Sequence, residues 1–114
     1  MPEGSSRVPA VIGIDLGTTE AKAAAIGLDG RLLGLGRAGY PMDVGADGQA
    51  EQSPADWWAA VAAAVRSIGA SGLDVLAICG VGQGPTLAVL DGSGEPVRPA
   101  ITWQDRRPAG AGSG

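Results

Sequence analysis

Three short apolar runs, each cut off by a tight-turn signal, dominate the first third of the chain and constrain its fold more than any other feature. Ala10–Leu16 (AVIGIDL) carries β-branched residues and is too short for a helix, which predicts a buried strand. The turn-prone Gly17-Thr18-Thr19-Glu20 follows. Ala21–Leu28 (AKAAAIGL) has a helical composition, but Asp29-Gly30 closes it with a strong two-residue hairpin signal. Arg31–Ala38 then reads as the return strand, so the three runs make an antiparallel meander.

The next segment changes period. Gly39–Gln52 is loop-like. Ser53-Pro54-Ala55-Asp56 then marks a helix start: Ser at the N-cap, Pro at the first helical position and an acidic residue three after the cap. The predicted helix runs to about Ile68, with Trp57, Val61, Ala64, Val65 and Ile68 on one face, and Gly69 stops it. Of the adjacent Trp57 and Trp58, one is expected in the core and the other over the sheet edge. Leu73–Val81 is a second buried strand, with Cys79 as a small buried residue in it. Because it is reached through a helix, it is expected to lie parallel to a meander strand. Gly82–Pro85 is a loop, Thr86–Leu90 a strand and Asp91–Gly94 a turn. Val97–Trp103 is extended, with Pro99 favouring an edge. The expected fold class is α/β: a mixed sheet of βββ meander, helix, parallel strand and further hairpin. Residues 1–8 are expected to be a disordered terminus, 9–107 the folded part and 108–114 a Gly-rich tail.

Composition narrows the function. Of 114 residues, 51 are apolar but 20 of these are Ala, and Gly adds another 20. A core built this way contributes little per residue, so independent stability is expected to be marginal. The formal charge of −4 with no basic cluster argues against nucleic acid as a partner. With no His in the chain, every histidine-based metal site, triad and general base is excluded. A single cysteine leaves no internal disulfide, and no apolar run approaches the roughly 20 residues of a membrane span. A cytoplasmic protein without a membrane partner is the expectation.

Gly13–Lys22 (GIDLGTTEAK) carries the most chemical information. A strand delivers the carboxylate of Asp15 to its C-terminal end. Gly17 then lets the backbone approach a ligand, and Thr18 and Thr19 add hydroxyls beside successive N–H groups. Such a turn can hold a phosphate while the carboxylate binds Mg²⁺ through water, with Lys22 adding a positive charge nearby. An ordinary hairpin would also use Gly and Thr here. A carboxylate inside an apolar strand is costly without a partner, and that cost favours the phosphate reading.

GIDLGTT resembles the first phosphate loop of the actin-like ATPase superfamily, which includes sugar kinases, chaperone ATPases and actin relatives. Two further segments resemble one branch of it, the FGGY carbohydrate kinases. Glu51-Gln52-Ser53-Pro54-Ala55-Asp56-Trp57-Trp58 is similar to their E-Q-x-P-x-x-W-W helix entry, and Ile101–Arg107 (ITWQDRR) to their I-x-W-x-D-x-R segment. The resemblance implies an actin-like (ribonuclease H-like) half-domain and an ATP- and Mg²⁺-dependent kinase acting on a sugar or polyol. By resemblance, Asp15, Gly17, Thr18, Thr19 and Lys22 would face the nucleotide and Asp15 the metal. Gln83, Gly84, Pro85, Trp103 and Asp105 would face the substrate, unless Gly84-Pro85 is simply a turn, Trp103 core and Asp105 an ion-pair partner of Arg106. Gly84-Pro85 stands where glycerol kinases have Arg-Glu and xylulokinases Met-His, which departs from both patterns. The family's catalytic Asp and second phosphate loop have no counterpart in this chain. It therefore reads as the first portion of a kinase, inactive alone, whose partner would be the missing remainder. A non-catalytic module that binds nucleotide or a partner chain is the alternative.

Overall fold

The computed structural model describes residues 7–108; most of the two expected terminal segments lies outside the described residues. Strands β1 (Val8–Leu16), β2 (Glu20–Gly27) and β3 (Leu32–Gly39) form the meander. Strands β4 (Asp43–Val44) and β5 (Ala50–Gln52) precede helix α1 (Pro54–Ser67). A 3₁₀ turn, Ala70–Gly72, leads into β6 (Leu73–Gly82), and β7 (Ala100–Ile101) follows.

The main sheet has the order β3-β2-β1-β6, with β1 parallel to β6 and the other pairs antiparallel. The crossover through α1 makes that parallel pairing possible. Alternation along β1 and β2 places Ile12, Ile14, Leu16, Ala21, Ala23 and Ala25 on the face that meets α1. From the helix come Trp57, Ala60, Val61, Ala64, Val65 and Ile68, the stripe expected from their spacing. The β2–β3 pairing slips between Ala25 and Ile26 of β2, leaving Leu33 of β3 as the extra residue, and Leu33 turns inward onto the same core. Among the described residues the buried apolar set is nearly all alanine, apart from Ile12 and Tyr40. Helix and sheet can therefore approach closely, and Gly34 and Gly36 of β3 face Ile68 and Ala64 directly.

The helix begins after Ser53 with Pro54 at its first turn and ends at Ile68, beyond which Gly69 takes φ +74°. Ser53 occupies the cap position without a side-chain cap bond; its carbonyl instead accepts the Asp56 N–H at 3.0 Å.

Several expectations are corrected. The Gly39–Gln52 loop contains β4 and β5, which join β7 in a second sheet of order β4-β5-β7. Thr86–Leu90 is not a regular strand: its ladder is reduced to the bridges Leu87–Ile101 and Leu90–Pro96. The extended Val97–Trp103 segment pairs as a strand only over Ala100–Ile101. The Asp91–Gly94 turn forms, with Asp91 Oδ1 accepting the Ser93 and Glu95 N–H groups at 2.9 and 3.0 Å. Cys79 is exposed rather than buried, because it pairs level with Gly13 and so lies on the sheet face turned away from α1. Trp57 packs in the core as one of the two tryptophans should, but Trp58 is 75% exposed and covers no edge.

Candidate functional site

Parallel pairing brings the C-terminal ends of β1 and β6 together, with Leu16 opposite Gly82. The Gly17–Glu20 turn and the Gly82–Pro85 loop therefore open on the same sheet edge, where open α/β sheets hold their ligands. The Gln83 N–H donates to the Leu16 carbonyl at 2.8 Å, fastening one loop to the other.

Gly17 closes the hairpin by donating its N–H to the Glu20 carbonyl at 3.0 Å. Its own carbonyl accepts from the Tyr40 hydroxyl and from Gln83 Nε2. Burial, then the charges of Asp15 and Glu20, push the Tyr40 hydroxyl above its ordinary pKa, so it remains a donor. Among the described residues, the N–H groups of Thr18 and Thr19 have no hydrogen-bond acceptor. Two successive free N–H groups and two hydroxyls at a loop tip are a donor set suited to an anion.

Asp15 projects from the face of β1 opposite α1 and is exposed. Across the strand it is opposite Lys22, and both line an open concavity with Gly13, Ala24, Leu35, Cys79 and Val81. The Lys22 ammonium stands 3.8 Å from Glu20, which Arg37 also engages at 2.9 Å. A neighbouring carboxylate thus competes for the charge expected to serve a phosphate. Among the described residues no group of three or more His, Cys, Asp or Glu side chains forms a metal cluster. Mg²⁺ needs none: one carboxylate, several waters and substrate phosphates satisfy it, so an exposed Asp15 beside an anion-binding turn fits that ion.

A closed ring of side chains joins the expected nucleotide and substrate residues. Gln52 Nε2 donates to the Thr18 carbonyl at 2.8 Å, and Gln52 Oε1 accepts from Gln83 Nε2 at 2.8 Å. Gln83 Oε1 accepts from the Thr86 hydroxyl at 3.4 Å. Thr86 Oγ1 in turn accepts the Trp103 backbone N–H at 3.2 Å. The indole of Trp103 then donates to Thr18 Oγ1 at 3.1 Å and closes the ring. Trp57 Nε1 supports Gln52 Oε1 from the helix at 3.0 Å. Trp103 is 48% exposed, so its ring is not core. Gly84 and Pro85 are exposed at the loop tip, and a Cβ added to Gly84 would meet nothing.

Asp105 closes the turn that carries Trp103. Its carboxylate accepts the Ala50 N–H at 3.0 Å and the guanidinium of Arg107. The ion pair expected with Arg106 is therefore made with Arg107, because a side chain two residues on returns to the same side of an extended segment. Arg106 instead donates its backbone N–H to the Gly48 carbonyl at 2.8 Å. The Arg107 guanidinium holds the Asp105 carboxyl well below the usual carboxylate range, and it lowers Glu51 in the same way.

Sequence reasoning singled out Thr18, Gln83 and Trp103, which the structure brings together. It gave no role to Tyr40, Gln52, Trp57 or Thr86, which tie them. Gln52 stood in the helix-entry motif, but only the fold shows a glutamine 2% exposed and bonded on both amide atoms.

Residues 10–112 match the model of the FGGY family of carbohydrate kinases, N-terminal domain. A xylulose kinase of Streptomyces rubiginosus is 38% identical over 105 residues, covering 91% of this chain and 21% of that protein. A glycerol kinase of Methylobacterium nodulans is also 38% identical over 105 residues, covering 88% and 21%. The crystal structure of xylulose kinase from Rhodospirillum rubrum superimposes with a TM-score of 0.79 at 30% identity, over 86% of this chain and 21% of that one. The fold is shared further afield: Plasmodium falciparum glycerol kinase with ADP gives a TM-score of 0.80 at 17% identity. The expected actin-like ATPase fold is thus found. The chain spans about a fifth of the length of these relatives, and over nearly all of its own length it belongs to the FGGY family of carbohydrate kinases, through their N-terminal domain.

Proposed function

We propose that the chain supplies the first nucleotide-phosphate turn and part of the substrate pocket of an ATP-dependent carbohydrate kinase. The reaction would move the terminal phosphoryl group of ATP to a hydroxyl oxygen of a sugar or polyol, releasing ADP and a proton. What supports the reading is the pair of unpartnered N–H groups at Thr18 and Thr19, beside the exposed Asp15, on the sheet edge that also carries Gln83 and Trp103. When bound, Mg-ATP brings the group to be transferred and a charge to neutralise it. Asp15 would hold the metal. Thr18 and Thr19 would bind phosphate oxygens through their N–H groups and the Thr19 hydroxyl. The Thr18 hydroxyl, already accepting from Trp103, keeps its own hydrogen to donate.

On the substrate side, Trp103 offers a half-exposed ring against which the apolar face of a sugar can lie, with Gln83 held at its edge. Gly84 and Pro85 contribute only backbone groups. Selection among polyols comes from buried groups that hydrogen-bond particular hydroxyls, and this loop offers few. The 114-residue chain turns over no sugar by itself, since in-line transfer needs donors on both sides of the phosphates and a base for the attacking hydroxyl. Calorimetric titration with Mg-ATP tests the nucleotide half: heat is expected from the unaltered chain and a clear loss from Asp15→Asn. Equal heats from both would remove Asp15 from the site, and sugar phosphorylation by the purified chain would refute the claim of inactivity.

A further inference from the structure

Trp103 sits at the second position of a tight turn, Thr102–Asp105, closed by the Asp105 N–H donating to the Thr102 carbonyl at 3.0 Å. Both ends of that turn are pinned to one residue of β5. The Thr102 N–H and hydroxyl donate to the Ala50 carbonyl at 3.0 and 2.9 Å, and the Ala50 N–H donates to Asp105 Oδ2 at 3.0 Å. The second pin depends on where the Asp105 carboxylate points, and that carboxylate is gripped by Arg107. Its Nε lies 3.0 and 3.1 Å from the two carboxylate oxygens and its Nη2 2.6 Å from Oδ2. The same Nη2 reaches Glu51 Oε2 at 2.6 Å, on the strand residue next to Ala50, and Arg98 grips that oxygen from β7's side at 2.5 Å. The Asp105 and Glu51 side chains are only 6% and 7% exposed, so neither charge has water as an alternative partner.

We propose that Arg107, clamped between Glu51 and Asp105, is a positioning residue: it orients the Thr102–Asp105 turn and so holds the Trp103 indole on Thr18. Among the described residues, Arg107 makes its side-chain hydrogen bonds to Asp105 and Glu51 and none to Trp103 or the phosphate turn. It acts through Asp105, whose carboxylate is committed to Ala50 and Arg107. The guanidinium's planar fork serves both carboxylates at once, which a lysine ammonium cannot reproduce. The importance of this clamp for substrate binding rests on the reading of Trp103 as a sugar-facing residue. The geometric statement does not, and it is tested without any ligand.

The test uses the three indole N–H resonances of the full chain in a ¹H–¹⁵N correlation spectrum, with Trp103→Phe and Trp58→Phe assigning them by elimination. Thr18→Val gives the position of the Trp103 signal when its bond is broken. In Arg107→Ala the Trp103 signal is expected to move more than half of the way to that position, while Trp57, bonded to Gln52, stays in place. Arg107→Lys should move it by a smaller amount. Asp105→Asn, which keeps the side-chain shape, should give the same selective shift and serves where Arg107→Ala does not fold. A Trp103 signal that stays put in the folded variants, or Trp57 and Trp103 moving together, would overturn the proposal. Failure there leaves the nucleotide reading intact, because that rests on Asp15 and the calorimetric result.

Discussion

The seat of α1 on the meander yields a sharp stability prediction at Gly36. A Cβ placed on Gly36 would lie 1.9 Å from the Ala64 carbonyl oxygen, 2.8 Å from the Ala64 carbonyl carbon and 3.0 Å from Ser67 Oγ. Ordinary van der Waals contact begins near 3.4 Å, so Gly36→Ala requires the helix backbone to withdraw by about 1.5 Å. The obstacle is main chain, which no rotamer change can relieve. Withdrawal would also part Ala60 and Ala64 from Ala21, Ala23 and Ala25, whose short side chains cannot follow. Overpacking of this kind costs about 1–3 kcal/mol. Against it stands the gain of roughly 0.5–1 kcal/mol from replacing a strand glycine, so a net loss of about 1–2 kcal/mol is expected. Gly13→Ala on β1 is the control, because a Cβ there meets nothing within 4 Å; it should be neutral or slightly stabilising. Urea unfolding followed by far-UV circular dichroism reads both. With a slope of about 1–2 kcal/mol per molar for a small domain, Gly36→Ala should lower the midpoint by roughly 1 M at unchanged slope. A Gly36→Ala midpoint equal to that of Gly13→Ala would mean that the helix does not rest on β3 as described.

Replacing Gln52 by Leu should cost about 2–4 kcal/mol in urea unfolding, since it strands the Thr18 carbonyl, the Trp57 indole N–H and the Gln83 amide together; a loss below about 0.5 kcal/mol would deny the ring its role. Acid should destabilise the unaltered chain through Glu51 and Asp105. Their folded pKa values are depressed, so their contribution is complete above the unfolded value of about 4 and is lost as pH falls through the folded ones. The melting-temperature difference between the unaltered chain and Arg107→Ala should therefore shrink on acidification below about pH 4, and a gap that widens there would contradict the ion-pair assignment. Cys79, exposed on β6, should react with a thiol reagent in the native chain as completely as in urea; protection in the native state would show that β6 is covered.

Much of this molecule was legible in its one-dimensional order. The hairpin signal at Asp29-Gly30, the Ser-Pro helix entry, the Gly69 stop and the apolar stripe of α1 are local, because turn chemistry and periodicity act between residues a few positions apart. They determined the meander, the helix and the parallel return strand. The conformation of Ala21–Leu28 was decided by its flanking turns against its own propensity for helix. Residues 39–52 and 86–103 were read less well. Their strands and bridges are one to three residues long, too short for any periodicity to show, and β5 gains its second neighbour only from β7 some fifty positions away.

The nucleotide and substrate motifs could likewise be named from the sequence, but how they meet could not. Thr18 and Trp103 are 85 residues apart, and Asp105 and Ala50 are 55 apart. Only the parallel pairing of β1 with β6 and the folding of β7 onto β5 bring them within hydrogen-bonding distance. The tertiary structure also chose Arg107 over Arg106 as the partner of Asp105, and left Cys79 open by placing it on the sheet face turned away from α1. A side chain's type can be read wherever it occurs, whereas its partner depends on register between distant segments, which the packing of the whole sheet decides.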